Sequence, residues 1–241
     1  NHLARFEKIG NVHLHRVGFS ISSPDLNKPR SFFMLFNKFL FPFLSCFMVS
    51  GLHRKESFDT VWAMMANYAG LGALFFKWLH SKVRFVLTLQ EGDPIEHIKR
   101  RVGVFMPVFK KIFRQADVIQ TISQYLADWA REIGAKCPIE VIPNGVDVGK
   151  FKNQKSKIKI EELKKKIGLV ADDKVLITTS RLVEKNAVGD VIEAMKFLPE
   201  SVKFLILGTG PLEKNLRQTT DNLQLGERVK FPGFIAHREL P

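Results

Sequence analysis

Apolar residues in this chain fall into short unbroken runs, separated by stretches in which an apolar position recurs every three to four residues. The runs Val12–Phe19, Thr60–Met64, Arg84–Leu89, Asp117–Ile122, Glu140–Ile142, Val175–Thr179, Val202–Leu207 and Arg228–Phe231 predict strands. Several are continuous enough to be buried on both faces of a parallel sheet. Between them, Asp190–Leu198 and Leu212–Leu223 repeat at helical spacing, and Gln124–Ile133 places Leu126, Trp129 and Ala130 on one face. Strand and helix units in alternation imply an α/β protein with a doubly wound sheet. The pattern restarts after the lysine-rich stretch Lys150–Lys166, which predicts two Rossmann-like domains, residues 1–148 and 149–241, joined near Asn144. That stretch reads as a solvated helix face, because Glu161 and Glu162 interrupt the lysines and Ile160, Leu163 and Ile167 keep apolar spacing. A nucleic-acid patch is the competing reading.

Composition narrows the classes. The chain has 241 residues, 45% of them apolar, enough for a sizeable core. Cys46 and Cys137 stand far apart with no ligand partner at metal spacing, so neither a disulfide framework nor a zinc site is expected and a reducing cytoplasm fits. The formal charge of +13 is spread along the whole chain and favours anionic partners: nucleotide diphosphates, acidic lipid or nucleic acid. No signal-peptide pattern follows Asn1. The segment Ser31–Ser50 approaches the length of a membrane span but holds Asn37, Lys38 and Pro42 at its centre. It has three readings: a transmembrane helix, a core helix pair of the first domain, or a helix whose phenylalanines rest on a membrane while Lys28, Arg30 and Lys38 meet anionic headgroups.

The candidate chemistry lies at predicted strand ends. Arg181, with Lys185 four residues on, follows the run Val175–Thr179, and ligands of open parallel sheets sit outside such carboxyl ends. Two fixed cations can stabilise a departing diphosphate without metal. Gly208-Thr209-Gly210-Pro211 links a strand to a helix, where glycines permit positive φ and close approach and free amides attract anions. Thr88-Leu89-Gln90-Glu91-Gly92-Asp93-Pro94 closes another strand. Glu91 there suits a proton acceptor, while Asp93 in a Gly-Asp-Pro turn is equally a helix cap. His97 reads as a surface helix residue. Asp-x-Asp and Gly-x-Gly-x-x-Gly are both absent, which argues against a metal-chelating transferase signature and a nicotinamide enzyme.

Val141-Ile142-Pro143-Asn144-Gly145-Val146-Asp147, then Ser180-Arg181-Leu182-Val183-Glu184-Lys185, then Gly208-Thr209-Gly210-Pro211 and Phe231-Pro232-Gly233-Phe234-Ile235, taken in that order and spacing, resemble the hinge and donor half of family 4 glycosyltransferases. The resemblance implies a GT-B fold and retaining transfer of a sugar from a UDP- or GDP-sugar to a hydroxyl acceptor, glycan or lipid-linked. The phosphate itself would assist deprotonation on the same face, with no cofactor and no metal requirement. It implies donor contacts from Asn144, Gly145, Arg181, Lys185, Gly208, Gly210 and Ile235, with Arg181, Lys185 and Glu91 carrying the chemistry and Gln90, Asp93 and Ser123 lining the acceptor side. It also implies a cytoplasmic protein at the inner face of the cell membrane, with no nucleic-acid role.

The chain departs from the family pattern in two places. Gln90 stands where a histidine is frequent, and Lys185-Asn186-Ala187 replaces a Lys-Gly pair placed one residue later. The glycine-rich opening loop is absent and no Glu-x7-Glu pair closes the donor half, so the resemblance implies a piece truncated at both ends. Such a piece is expected to be inactive and poorly soluble alone. A catalytically silent scaffold and a basic nucleic-acid-binding protein are the alternatives.

Overall fold

In the computed structural model the described residues are 4–18, 32–151, 164–165, 167–170, 172–236 and 239–240. Phe19, Lys28, Arg30 and Ser31, and the Ile160–Leu163 part of the lysine-rich stretch, lie outside them. The chain divides into two compact units, Asn1–Gly145 and Val146–Pro241.

The first unit contains a four-stranded parallel sheet, β3 (Thr60–Met64), β4 (Arg84–Leu89), β5 (Val118–Thr121) and β6 (Ile139–Val141), paired in that order. Strand β4 is central, and Phe85, Leu87, Thr88 and Leu89 are all buried, which is why its sequence is mostly apolar after Arg84. Strand β3 lies at the edge and alternates: Ala63 is buried while Thr60, Trp62 and Met64 are exposed. Helices α2 (Tyr68–Leu79), α3 (Ile95–Val102), α4 (Met106–Gln115) and α5 (Gln124–Ile133) connect the strands. Their inward stripes, led by Leu74, Phe109, Ile112, Phe113, Leu126 and Trp129, close the core. In that core the Phe113 ring meets Trp129 edge-on at 5.2 Å.

Two expectations need correction here. The run Val12–Phe19 is a strand only over Val12–His15 (β2), and it pairs antiparallel with β1 (Phe6–Ile9). A tight turn at Gly10, with φ of +58°, folds the two strands into a hairpin instead of a strand–helix unit. The phenylalanine-rich segment is one helix, α1 (Phe32–Glu56), with Pro42 inside it, and not a helix pair. Its buried face, with Pro42, Cys46 and Ser50, packs on α2, where a Cβ on Gly72 would stand 2.5 Å from the Ser45 hydroxyl. The small residue lets the two helices close. Cys46 and Cys137 are free thiols, and burial pushes both pKa values up.

The second unit holds a three-stranded parallel sheet, β7 (Lys174–Thr179), β8 (Val202–Leu207) and β9 (Val229–Gly233), in that order. After the short α6 (Val148–Phe151), the described residues include helices α7 (Val188–Ala194) and α8 (Glu213–Asn222). Leu182, Ile192, Met195, Phe204, Ile206 and Leu216 form its core. The buried Arg228 guanidinium donates to the carbonyls of Leu198, Pro199 and Val202 and lies 3.6 Å from the Glu200 carboxylate, so its charge is offset by polar partners.

Candidate functional site

The carboxyl ends of β7, β8 and β9 meet in a cavity of about 590 Å³ lined by Thr179, Ser180, Arg181, Leu207, Gly208, Thr209, Phe234, Ile235 and Leu240. Parallel strands deliver this geometry, since all three chain exits emerge on one edge of the sheet. Backbone hydrogen bonds stitch the exits together: Ser180 N–H to Leu207 O at 3.1 Å, Leu182 N–H to Thr209 O at 3.1 Å, and Gly208 N–H to Gly233 O at 2.8 Å. A Cβ at Gly208 would collide with the Ser180 carbonyl, and one at Gly210 with the Leu182 carbonyl. Gly208 also holds φ at +147°, outside the reach of side-chain-bearing residues. The two glycines therefore set the distance between adjacent strand exits. The Gly208 amide is committed to Gly233, whereas the Thr209 and Gly210 amides have no carbonyl partner among the described residues. Helix α8 begins at Glu213, so Pro211 precedes it by two residues instead of filling its first turn.

Arg181 is exposed at the cavity wall, and among the described residues its guanidinium has no hydrogen-bond or ion-pair partner. Its carbonyl accepts the Asn186 side-chain amide at 2.6 Å, which fixes the turn that carries it. Lys185 lies on a one-turn 3-10 helix, Glu184–Asn186, and does not line the cavity; neither does Gly210. The following Ala187 has φ of +52° and ψ of +29°, a left-handed conformation that the Gly of the family pattern would adopt without Cβ strain. Ile235 lines the cavity beside the exposed Phe234.

In the first unit the candidate residues also stand at carboxyl ends of strands. Glu91 follows β4, and its Oε1 accepts the Ala66 N–H at 2.7 Å, tying the turn between β3 and α2 to the end of β4. Its Oε2 is enclosed without a hydrogen-bond partner. Burial pushes the carboxyl pKa up against the pull of the Ala66 amide. The Gln90 amide lies 3.9 Å from the Met64 sulfur. Asp93 does not cap α3, whose N-cap is Pro94 without a side-chain bond; instead it lies 3.5 Å from Arg101 of the same helix. Ser123 is the N-cap of α5 and accepts the Leu126 N–H at 3.4 Å. His97 is exposed on α3 beside Arg100. Asn144 and Gly145 are exposed after β6, and neither has a positive φ.

Several participants carry no sequence signal of their own. Thr88, buried in β4, accepts the Trp62 indole N–H at 2.8 Å and donates to the Gln120 carbonyl at 3.1 Å, a polar chain across three strands. Phe234, Thr209 and Leu240 enter the cavity wall only because three exits converge. Among the described residues no group of three or more His, Cys, Asp or Glu could hold a metal ion.

Residues 12–150 match the family model described as Glycosyltransferase Family 4, and residues 159–241 the one described as Glycosyl transferases group 1. The chain is 31% identical over 158 residues to the alpha-monoglucosyldiacylglycerol synthase of Streptococcus pneumoniae, covering 62% of this chain and 36% of that protein. It is 27% identical over 194 residues to the lipopolysaccharide core biosynthesis glycosyltransferase LpsD of Rhizobium meliloti, covering 74% and 53%. Among solved structures it resembles Anabaena Alr3699/HepE in complex with UDP-glucose, with a TM-score of 0.66, 25% identity, and 80% and 52% of the two chains covered. The chain thus spans between about a third and about half of the length of these relatives. Its two parallel α/β sheets are those of the GT-B class. Because the first family model alone covers more than half of the sequence, the chain belongs to glycosyltransferase family 4.

Proposed function

We propose that the protein transfers a sugar, with retention, from a UDP- or GDP-sugar to a hydroxyl acceptor, glycan or lipid-linked, on the cytoplasmic side of the cell membrane. The observation that carries this is the cavity at the ends of β7, β8 and β9, with an exposed Arg181 guanidinium in its wall and a Thr209 amide that has no carbonyl partner among the described residues. A diphosphate there meets a fixed positive charge and the Thr209 N–H donor, which stabilise it most as it departs. Phe234 and Ile235 offer an apolar wall for the nucleobase. Lys185 supplies a second cation by turning from its 3-10 helix, and Asn144 and Gly145 contribute to the donor from the chain between the units. The bond from the anomeric carbon to the phosphate oxygen breaks as the acceptor oxygen bonds the same face. The acceptor proton passes to the departing phosphate. Glu91 then serves by fixing the Ala66 turn, with Gln90, Asp93 and Ser123 shaping the acceptor side of the first sheet.

Titration calorimetry of UDP and GDP into the complete protein tests the donor site. Arg181→Ala should weaken nucleotide binding by about 1–3 kcal/mol, the range of a charge-assisted hydrogen bond. Unchanged affinity would exclude Arg181 from the diphosphate. Turnover should survive EDTA, since the proposed clamp is made of protein cations; loss of turnover restored by Mn²⁺ would replace it with a metal. Gln90, which cannot carry a proton, favours a second reading in which nucleotide binds without transfer. Any measured turnover removes that reading.

A further inference from the structure

The last strand of the second unit is interrupted where it turns toward the cavity. Leu205 pairs with Lys230 and Leu207 with Gly233, so Phe231 and Pro232 of β9 stand opposite Ile206 of β8 alone. Such a bulge bends the strand and redirects the residues beyond it. Pro232 has no N–H to offer the ladder, and Gly233 leaves it with φ of +85°. Arg217 of α8 grips this bulge. Its guanidinium carbon lies 4.6 Å from the centre of the Phe231 ring, and its Nη2 donates to the Phe231 carbonyl at 3.5 Å. Nε and the same Nη2 also donate to Glu213 Oε1, at 3.1 and 2.9 Å. Glu213 opens α8, and its N–H is bonded to the Gly210 carbonyl at 3.1 Å. A continuous path of contacts therefore runs from Gly210 through Glu213 and Arg217 to the strand exit that carries Phe234 and Ile235.

We propose that Arg217 is a positioning residue for the nucleoside: by fixing the bulge it holds Phe234 and Ile235 in place against the nucleobase, and its loss loosens that wall while the diphosphate end of the site stays formed. The inference rests on the donor site proposed above. Arg217 does not line the cavity, so it acts through the strand exit and not by touching the ligand. Its bond to Glu213 joins two partly exposed side chains, and an exposed ion pair of this kind adds little to stability. Stacking on Phe231 and the carbonyl contact confine the guanidinium further, which a planar fork achieves and an ammonium does not. Arg181 and Thr209 follow β7 and β8, whose exits are joined by the Ser180–Leu207 and Leu182–Thr209 backbone bonds without Arg217. Loosening β9 therefore affects one end of a bound nucleotide and spares the other.

Titration calorimetry of the complete protein with UDP, GDP and inorganic pyrophosphate separates the two ends. Arg217→Ala should weaken the nucleotide that the wild type binds about tenfold, as a preorganised wall becomes mobile, and leave pyrophosphate within about twofold. Arg217→Lys should fall between the two, because the ammonium keeps a charge over Phe231 but cannot bridge both partners; it carries the test if the thermal midpoint shows that Arg217→Ala unfolds. Arg181→Ala, by contrast, should weaken nucleotide and pyrophosphate together. Equal weakening of both ligands by the Arg217 variants means a general loss of structure and overturns the proposal, as does unchanged nucleotide affinity. A wild-type protein that binds pyrophosphate but no nucleotide also overturns it and leaves the Arg181 clamp standing. If the wild type binds neither, the donor site itself falls and this inference with it.

Discussion

At the residue scale Glu91 is the most consequential side chain of the first unit. One oxygen holds the Ala66 amide and the other is enclosed without a partner, so ionisation is disfavoured in the fold and the pKa is raised by burial. The sign follows from linkage. A raised carboxyl contributes stability that is fully present below its unfolded value and is lost as pH rises through the folded value. Glu91→Gln keeps an oxygen for the Ala66 amide and removes the charge. In urea denaturation, the wild-type chain should therefore lose stability relative to Glu91→Gln as pH rises from about 4 to about 8. A stability difference that does not change with pH would show that this carboxyl is not held out of water.

At the scale of elements, Asp117 joins three of them. Its Oδ2 accepts the Lys77 ammonium of α2 at 2.8 Å and the Phe85 amide of β4 at 2.6 Å, while Asp117 itself leads into β5. Burial pushes its pKa up, but the bonds from Lys77 and Phe85 and the charges of Lys77 and Arg84 outweigh it and hold the carboxyl below its ordinary value. Asp117→Ala would leave the amide of the fully buried Phe85 unpaired, a loss of about 1–3 kcal/mol at neutral pH. Because the folded pKa is depressed, the stabilisation is present above the unfolded value and lost as pH falls through the folded one. Denaturation midpoints of wild type and variant should converge in acid. A constant gap down to low pH would mean that the ionised form contributes nothing.

At the scale of the whole molecule, each unit has a separate core but also leaves a sheet edge open in the described residues. Strand β7 exposes Val175, Leu176 and Ile177, the last to 60%, and β3 exposes Trp62 and Met64. Open apolar edges template further pairing. The net charge of +13 opposes such association over a distance of about 10 Å at moderate ionic strength. Sedimentation should therefore show self-association that grows with protein concentration and with added salt. Ile177→Lys should reduce it. A chain that stays monomeric at high salt would show that these edges are covered.

The predominantly apolar runs determined where β4 and β8 lie, because strands buried on both faces are built mostly from apolar residues, and that signal is local. The order of the predicted strands likewise puts Arg181, Gly208 and Ile235 after carboxyl ends from the sequence alone. Tertiary structure alone decided that these three share one cavity with Phe234 and Leu240, and that Gly210 and Lys185 do not line it. It also decided that Glu91 binds an amide 25 positions away, that α1 is one helix with exposed phenylalanines, and that Phe6–Ile9 closes a hairpin with Val12–His15. The physical reason is common to all of these. Periodicity reports the face a residue turns toward the core, whereas the partner it meets there depends on which distant segments pack together, and no local pattern encodes that.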